Sequence, residues 1–305
     1  MLEVGGIGNT DLPSRLSASL SYGGDTLNTA IYLARSGINV DYVTALSDDS
    51  MSDWMQAQWK AEGVGCELVL RIPGSVPGMY MIQLDEQGER SFLYWRKDSP
   101  ATRLLDNPDT AEMLFDQLRE YPQIYLTGIT LALYAEPARR RLMGFLGSFR
   151  KSGGEVIFDG NYRKSLWTDA RIARDAYEDI YRVCSLVLPT DEDEAQLFGS
   201  ESREELLARF RGYGVEELVL KQGADGCWIC SQKDEVHVPT VATEVVDSTA
   251  AGDSFNAGFI AAKMQGENSL ESAKRANGLA SIVIQHRGAI IPEDAMPMLN
   301  SGVCA

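Results

Sequence analysis

Residues 245–259 read VVDSTAAGDSFNAGF and place one carboxylate directly after three small residues. Small residues let a ligand oxygen approach the backbone, and a helix that begins near Gly252 would point its free N–H groups at that ligand. Asp253 lies in the first turn, where the helix dipole favours the ionised form. This suits phosphoryl transfer, in which a carboxylate accepts the proton of the attacking hydroxyl. The spacing is equally typical of an aspartate that only stabilises its helix.

Polar and glycine residues also follow several predicted strands. These clusters are Gly128, residues 159–163, residues 221–223 and residues 247–253. In open parallel sheets, the ligand crevice lies outside the carboxyl ends of the strands. Polar turns after strands are common without a ligand, but four clusters at equivalent positions predict one site along this edge.

The elements that must position these residues alternate between apolar strand-like runs and amphipathic helical runs. In the first predicted helix, Leu27, Ala30, Ile31 and Ala34 recur at helical spacing, and Gly37 follows as a C′ residue. Repeated β-then-α runs predict an α/β fold, with a parallel sheet between layers of helices.

Residues 79–96 break this rhythm. Two alternating strands flank the polar turn at residues 85–89, which predicts a hairpin. Phe92, Tyr94 and Arg96 fall on one face of it. The arginine is either a solvated edge charge or a ligand clamp carried on a lid.

Composition limits the partners. The net charge of −16 argues against a nucleic acid or an anionic membrane, although a few amides and cations can still hold phosphate. No apolar window is long enough to span a bilayer and no signal sequence opens the chain, so we expect a cytoplasmic protein. The five scattered cysteines indicate reduced thiols. Cys227 and Cys230 are expected on opposite faces of a strand, as structural residues.

Taken together, these motifs resemble those of the ribokinase-like (phosphofructokinase-B) sugar kinases. DSTAAGDSFNAGF resembles the family's C-terminal signature D-T-x-G-A-G-D, and YGGDTLNTAIYLARSG resembles its N-terminal Gly-Gly…Asn segment. Four more segments are similar to motifs of one subgroup of this family, the bacterial 2-keto-3-deoxygluconate kinases. These segments are GERSFLYWR, FDGNYRKSLW, KQGADG and RGAIIP. The resemblance covers essentially the whole chain.

The resemblance implies one domain over residues 1–305, with a central, mostly parallel sheet flanked by helices and a small β-lid. The lid would comprise about residues 1–22 and 66–98, and the α/β core about residues 23–65 and 99–305. A homo-oligomer through the exposed edge of the lid hairpin is a further expectation.

Site roles follow from the same resemblance. Asp253 would be the catalytic base, and the amides of Ala250, Ala251 and Gly252 would form the hole for the transferred phosphate. The residues expected to bind the substrate are Gly24, Asp25, Thr26, Asn28, Tyr80, Tyr94, Arg96, Arg163 and Asp253. The residues expected to line the ATP site are Asn161, Lys221, Gly223, Ala224, Gly226, Ala250, Gly252 and Asn277.

ATP and Mg²⁺ are the implied cofactors, with K⁺ as a further candidate. The family's N-x-x-E element, which orders magnesium through water, appears here as residues 190–193. Asp191, Asp193 and Glu194 offer carboxylates, of which Asp193 and Glu194 are the expected ones, and which one serves is left open. Asp247 and Thr249 match positions that bind a monovalent cation in some relatives.

The implied reaction is ATP-dependent phosphorylation of the 6-hydroxyl of 2-keto-3-deoxygluconate in sugar-acid catabolism. Arg96 and Arg163 favour an acid over a neutral sugar, because a guanidinium offers a carboxylate a planar, bidentate partner. For Arg163, the alternative is a structural ion pair with Asp159. The alternative functions are a kinase for fructose or 2-keto-3-deoxygalactonate, or a non-catalytic sugar-acid sensor, which has no need of a base.

The sequence departs from the family pattern in two further places. Ala250 replaces a signature glycine, so we expect a negative φ there. The family's first buried strand and Gly-Glu turn have no counterpart ahead of MLEV. The expectation is a start assigned too late or a shortened chain, with two neighbouring strands left without a shared partner.

Overall fold

A computed structural model describes residues 1–9, 14–84, 90–231 and 234–297. The strands are β1 (Leu2–Asn9), β2 (Leu16–Tyr22), β3 (Thr44–Leu46), β4 (Val69–Arg71), β5 (Met79–Leu84), β6 (Arg90–Trp95), β7 (Gln123–Thr127), β8 (Glu155–Asp159), β9 (Leu186–Val187), β10 (Glu217–Lys221), β11 (Cys227–Ser231) and β12 (Glu235–Val238). The helices are α1 (Asp25–Arg35), α2 (Ser50–Ala61), α3 (Pro108–Leu118), α4 (Gly128–Leu133), α5 (Glu136–Lys151), α6 (Ala170–Tyr181), α7 (Asp191–Phe198), α8 (Arg203–Tyr213), α9 (Ala251–Met264) and α10 (Ser269–Val283). The predicted turn at residues 85–89 and Cys304 lie outside the described residues.

The central sheet has the strand order β12-β11-β10-β9-β8-β7. Strands β7 to β10 run parallel, and β11 and β12 complete the sheet in antiparallel pairs. The parallel strands are apolar because helices cover both of their faces. This confirms the predicted α/β fold with a mostly parallel sheet.

Successive residues of the strands feed two hydrophobic cores, one on each face of the sheet. Val156 and Phe158 join the core formed with α3, α5, α6 and α8, whereas Ile157 joins the one formed with α1, α9 and α10. Cys227 and Cys230 likewise belong to opposite cores, as predicted, and burial raises the pKa of their thiols to about 12 and about 11. Both cysteines are therefore structural.

The lid is a four-stranded sheet in the order β2-β1-β5-β6. The predicted hairpin is confirmed, because β5 and β6 pair antiparallel with Tyr80 opposite Tyr94. Strand β4, however, pairs in parallel with β3. The predicted lid segment of residues 66–98 therefore includes a strand that belongs to the core.

The strand layer is interrupted between β3 and β7. Among the described residues, β3 pairs only with β4, and β7 pairs only with β8. A mostly apolar cleft of about 220 Å³ separates them, lined by parts of residues 38–43 and 121–126 and by side chains of α1 and α3.

Helix α9, whose first turn carries Asp253, packs closely against α10. A Cβ atom on Gly258 would lie 3.0 Å from the Cα atom of Ala276, whereas one on Gly144 of α5 would meet no atom within 4 Å. Small residues therefore let α9 lie directly on α10, which fixes the position of its N-terminus.

We expect Gly258→Leu to lower the free energy of unfolding by about 1–3 kcal/mol, because the added side chain forces the two helices apart. Gly144→Leu is the matched control and should be neutral or stabilising by up to about 1 kcal/mol, because leucine is the better helix former. Urea unfolding of both variants measures the difference. Equal stabilities would contradict the close packing of α9 on α10.

Candidate active site

A cleft of about 660 Å³ lies between the lid and the carboxyl ends of the central strands. Three of the four polar clusters predicted from the sequence meet there. The lining includes Asp159, Asn161, Arg163, Thr190, Asp193, Lys221, residues 248–253 and, from the lid, Tyr80, Phe92, Tyr94 and Arg96. Gly128 has a packing role instead, because a Cβ atom there would overlap the Tyr177 hydroxyl and the Gly160 carbonyl.

Asp253 lies in the first turn of α9 and faces α1. The Nδ2 group of Asn28 donates a 2.8 Å hydrogen bond to its Oδ2 atom. Loss of solvent, and then the charge of Asp25, raise the pKa of Asp253 to about 8, against the opposing effects of Asn28 and Lys221. A carboxylate with this proton affinity suits a general base that works near neutral pH.

The turn before Asp253 differs from the expectation for Ala250. Its φ is +61°, in the left-handed region, so the predicted negative φ is wrong. An alanine in this conformation costs about 1–2 kcal/mol relative to one with a negative φ. The Ala250 carbonyl accepts the first hydrogen bond of α9, from the Ser254 amide. The Ala251 amide donates to Ser248 at 3.2 Å, whereas the Gly252 amide, in the first turn, has no acceptor within the helix.

The start of α1 supplies Gly24, Asp25, Thr26 and Asn28 to the cleft, as predicted. Asp25 accepts hydrogen bonds from the Thr127 hydroxyl and, at 3.3 Å, from Asn161. Burial raises the pKa of Asp25. Asn161, expected at the ATP site, therefore lies against a predicted substrate residue and joins the two parts of the cleft.

The lid contributes aromatic residues and a cation. The Tyr80 hydroxyl donates to Glu3, a residue that the sequence did not single out, and this contact and burial raise the pKa of Tyr80. The Arg96 guanidinium lies 4.1 Å from the centre of the Tyr94 ring. The lid thus presents one positive charge on an aromatic surface.

A second guanidinium faces the same cleft from the core. Arg163 lies 3.6 Å from the Asp193 carboxylate, and its charge, after burial, helps to lower the pKa of Arg96. The alternative pairing of Arg163 with Asp159 is wrong, because Asp159 pairs with Lys221 at 3.0 Å. Two guanidinium groups that face the same part of the cleft make it attractive to an anion.

The loop after β10 forms the predicted nucleotide side. Gly223 and Ala224 are exposed in a short 3₁₀ turn. Gly226 has φ +91°, and a Cβ atom there would lie 2.2 Å from the Val238 carbonyl. Asn277 donates to the Val238 and Pro239 carbonyls at 3.3 Å, so its amide nitrogen holds the end of β12.

The predicted metal carboxylates divide into two groups. Asp193 lines the cleft and accepts a 3.2 Å bond from the Tyr162 amide. Glu194 is buried elsewhere, where Tyr181 and Arg209 donate to its two oxygens, so it does not face the cleft. Over residues 1–9, 14–84, 90–231 and 234–297, no group of three His, Cys, Asp or Glu residues could hold a metal ion.

Asp247 and Thr249, the predicted monovalent-cation residues, instead hold the turn before α9. The Asp247 carboxylate accepts bonds from the Thr249 amide and hydroxyl at 3.1 and 2.7 Å, and from the Gly288 amide at 2.6 Å. A carboxylate has about four lone-pair sites, and the turn uses three of them.

Comparison with known proteins agrees with this architecture. The profile described as pfkB family carbohydrate kinase matches residues 10–296. The chain belongs to this family. The kinase is 44% identical over 284 residues to the 2-dehydro-3-deoxygluconokinase of Dickeya dadantii, covering 90% of this chain and 91% of that protein. The Escherichia coli K12 protein of the same name is 40% identical, covering 90% and 92%.

Solved structures confirm the ribokinase-like fold of the kinase. A PfkB protein from Polaromonas sp. JS666 superposes with a TM-score of 0.79 at 26% identity, covering 93% of both chains. The 2-dehydro-3-deoxygluconokinase of Thermotoga maritima gives 0.83 at 20% identity, covering 95% of this chain and 92% of that one. Within the described residues, no helix is long and apolar enough to cross a membrane.

We expect Asp253→Asn to abolish turnover and to raise Tm at high pH. An unfolded Asp has a pKa of about 3.9, so the folded state binds this proton more tightly. The free energy of unfolding therefore falls as pH rises from about 4 to the folded pKa of about 8. Removing the charge should raise Tm by about 2–4 °C or more at pH 9 and by less at pH 5.

Thermal unfolding of the variant and the wild type between pH 5 and 9 measures how the difference in Tm changes with pH. Asp175→Asn, at an exposed position, is the matched control. In the wild type, kcat/KM should rise with pH until about 8, because the base must be ionised. A Tm difference that does not change with pH, or substantial turnover by Asp253→Asn, would contradict the assignment.

Proposed function

We propose that the kinase transfers the γ-phosphoryl group of ATP to the 6-hydroxyl of 2-dehydro-3-deoxy-D-gluconate, another name for 2-keto-3-deoxygluconate. The product is 2-dehydro-3-deoxy-6-phosphogluconate. One observation carries the proposal: a carboxylate in the first turn of α9 shares a cleft with two guanidinium groups, Arg96 from the lid and Arg163 from the core. Relatives with 44% and 40% identity that carry this enzyme name support it.

The guanidinium groups suit the acid end of this substrate. A 2-keto acid carries its carboxylate beside a carbonyl oxygen, and a planar guanidinium can bind both. A neutral sugar carries no negative charge to pair with the two guanidinium groups that face the cleft. Asp25, Asn28 and Tyr80 then remain for the substrate hydroxyls.

Asp253 accepts the proton of the 6-hydroxyl as that oxygen bonds to the γ-phosphorus and the bond from phosphorus to the ADP oxygen breaks. The Gly252 amide, at the positive end of α9, faces the charge on the transferred group. ATP supplies the phosphoryl group, and the Mg²⁺ bound to it neutralises part of its charge. Asp193 is the carboxylate that would hold Mg²⁺ through water, because it lines the cleft and Glu194 does not.

K⁺ does not fit the Asp247 turn, because hydrogen bonds already occupy most of the carboxylate. Closure of the lid excludes water from the cleft, which limits hydrolysis of ATP. We place the reaction in the cytoplasm, where thiols such as Cys227 stay reduced.

We expect the purified kinase, supplied with ATP and Mg²⁺, to phosphorylate 2-dehydro-3-deoxygluconate in preference to fructose. Arg96→Ala should raise KM for the acid about tenfold or more, the loss expected for a charged hydrogen bond, and hardly change KM for fructose. A coupled assay of ADP release over a panel of sugars and sugar acids measures both. Arg140→Ala, on the exposed face of α5, is the control.

Three results would contradict this proposal. A preference for fructose would show that the protein is a kinase for a neutral ketose. A preference for 2-keto-3-deoxygalactonate would show that this epimer is the substrate. Binding of the acid without turnover would indicate a sensor.

We also propose that two copies of the kinase associate through their lids. Strand β6 is an edge strand of the lid sheet. On the lid face opposite Tyr80, Leu20, Leu93 and Trp95 are 48%, 42% and 52% exposed. An apolar sheet face next to an open edge favours pairing with an identical surface.

Light scattering should give the wild type the mass of a dimer and Leu93→Glu the mass of a monomer, because the added charges would be buried in the contact. Leu270→Glu, a similarly exposed leucine on α10, should leave the mass unchanged. A monomeric wild type would rule out association through the lid.

A further inference from the structure

A buried polar network lies beneath the floor of the cleft. The Lys221 ammonium donates 3.0 Å hydrogen bonds to Asp159 and to the Oδ1 atom of Asn256. The Nδ2 group of Asn256 donates to the other Asp159 oxygen at 2.8 Å and to the Tyr125 hydroxyl at 3.0 Å. Asn256 is fully buried and bridges the cation, the anion and the tyrosine at once.

The network continues to the backbone of the catalytic turn. The Thr29 hydroxyl lies 3.3 Å from the Tyr125 hydroxyl oxygen and 3.2 Å from the carbonyl oxygen of Asp253. One chain of hydrogen bonds therefore joins the Lys221 ammonium to the residue that carries the proposed base. It connects β10, β8, α9, β7 and α1, which otherwise approach the cleft from different directions.

This network is costly as a purely structural feature. Lys221 and Asp159 are only 6% and 3% exposed, and apolar side chains of similar volume usually stabilise a buried position at least as well as an ion pair. Asn256 adds an amide whose polar atoms are both satisfied. A network whose amide is fully satisfied and whose ammonium adjoins a cleft points to a requirement for precise placement of the ammonium.

The ammonium is placed to act on the transferred group. It has three N–H donors, of which Asp159 and Asn256 accept two. Its nitrogen lies 3.6 Å from the position that a Cβ atom would take on Gly252, and Lys221 itself lines the cleft. The remaining donor is therefore next to the α9 turn at which the phosphoryl group is transferred.

We propose that Asn256 and Tyr125 are positioning residues that hold the Lys221 ammonium against the terminal phosphoryl group of the nucleotide. Asp159 pairs with the ammonium, Asn256 fixes its direction, and Tyr125 fixes the Asn256 amide. The inference rests on the proposed phosphoryl transfer, but it concerns recognition of the γ-phosphoryl group and not the choice of sugar.

The same placement affects the base. The charged groups that influence Asp253 are Asp25 on α1, Asp159 on β8 and Lys221 on β10. Lys221 is the cation among them, and it lowers the pKa of Asp253, whereas both carboxylates raise it. Without the Asn256 hydrogen bond, the Lys221 ammonium would be free to move away from Asp253. The pKa of Asp253 would then rise, so the fall of kcat/KM on the acid side should move to higher pH.

The test compares ATP with ADP by isothermal titration calorimetry in the presence of Mg²⁺. In Asn256→Ala, the preference for ATP over ADP should fall about tenfold, the effect of one hydrogen bond to a charged group, while ADP affinity stays the same. Tyr125→Phe, which removes only a hydroxyl, should give a smaller loss in the same direction. Ser272→Ala, a buried serine on α10 away from the cleft, should change neither affinity.

A double-mutant cycle with Lys221→Met shows whether Asn256 acts through the lysine. If it does, adding Asn256→Ala to Lys221→Met causes little further loss of the ATP preference. If Asn256→Ala or Lys221→Met fails to fold, Tyr125→Phe alone tests the proposal. Its readouts are the ratio of the ATP affinity to the ADP affinity and the pH at which kcat/KM falls on the acid side.

Equal loss of ATP and ADP binding, or no change in either, would overturn the positioning role. Failure of the proposed function looks different. If the wild type phosphorylates no sugar acid but the ATP preference falls as described, the substrate assignment is wrong and the positioning role stands.

Discussion

The balance of charge at the carboxyl edge of the central sheet is the constraint on which the site depends. Asp25, Asp159 and Asp253 come from three different elements and converge there, and one buried ammonium, Lys221, lies among them. Loss of solvent, and then the charges of Asp25 and Asp159, raise the pKa of Asp253. The ends of β8 and β10 position Asp159 and Lys221, and the N-termini of α1 and α9 position Asp25 and Asp253. The raised pKa of the base is therefore a property of the fold and not of residues 245–259 alone.

The core side and the lid side of the cleft supply different chemical groups. The core supplies the carboxylates, the ammonium and the helix terminus, which suit the reacting hydroxyl and the phosphoryl group. The lid supplies Tyr80, Tyr94 and Arg96, which suit the far end of a charged substrate. Arg163 of the core faces the cleft beside Asp193 and so joins the two sides. A lid that carries part of the binding charge couples closure to the presence of the acid, because closure then brings the opposite charges together.

Local patterns predicted several elements well. Helix α1 and the β5–β6 hairpin follow from periodicity, and the Asp253 turn follows from its small residues. Ala250 was predicted wrongly, because an alanine favours a negative φ, whereas its φ in the structure is +61°. Glu194 and Asn277 have types that suit a ligand, but both are occupied by interior partners. Asn256 was missed, although it lies one helical turn after Asp253, because an amide three residues from a motif has no chemical signature of its own.

The sequence by itself determined the alternation of strands and helices, the family motifs and the types of residue available for chemistry. Each of these depends on spacing within a short segment or on similarity to a known pattern. Only the tertiary structure decided that Lys221 pairs with Asp159, that Arg163 faces Asp193 and that Asp253 has a raised pKa. These features join residues far apart in the chain, and short-range interactions carry no information about which distant partner a side chain will meet.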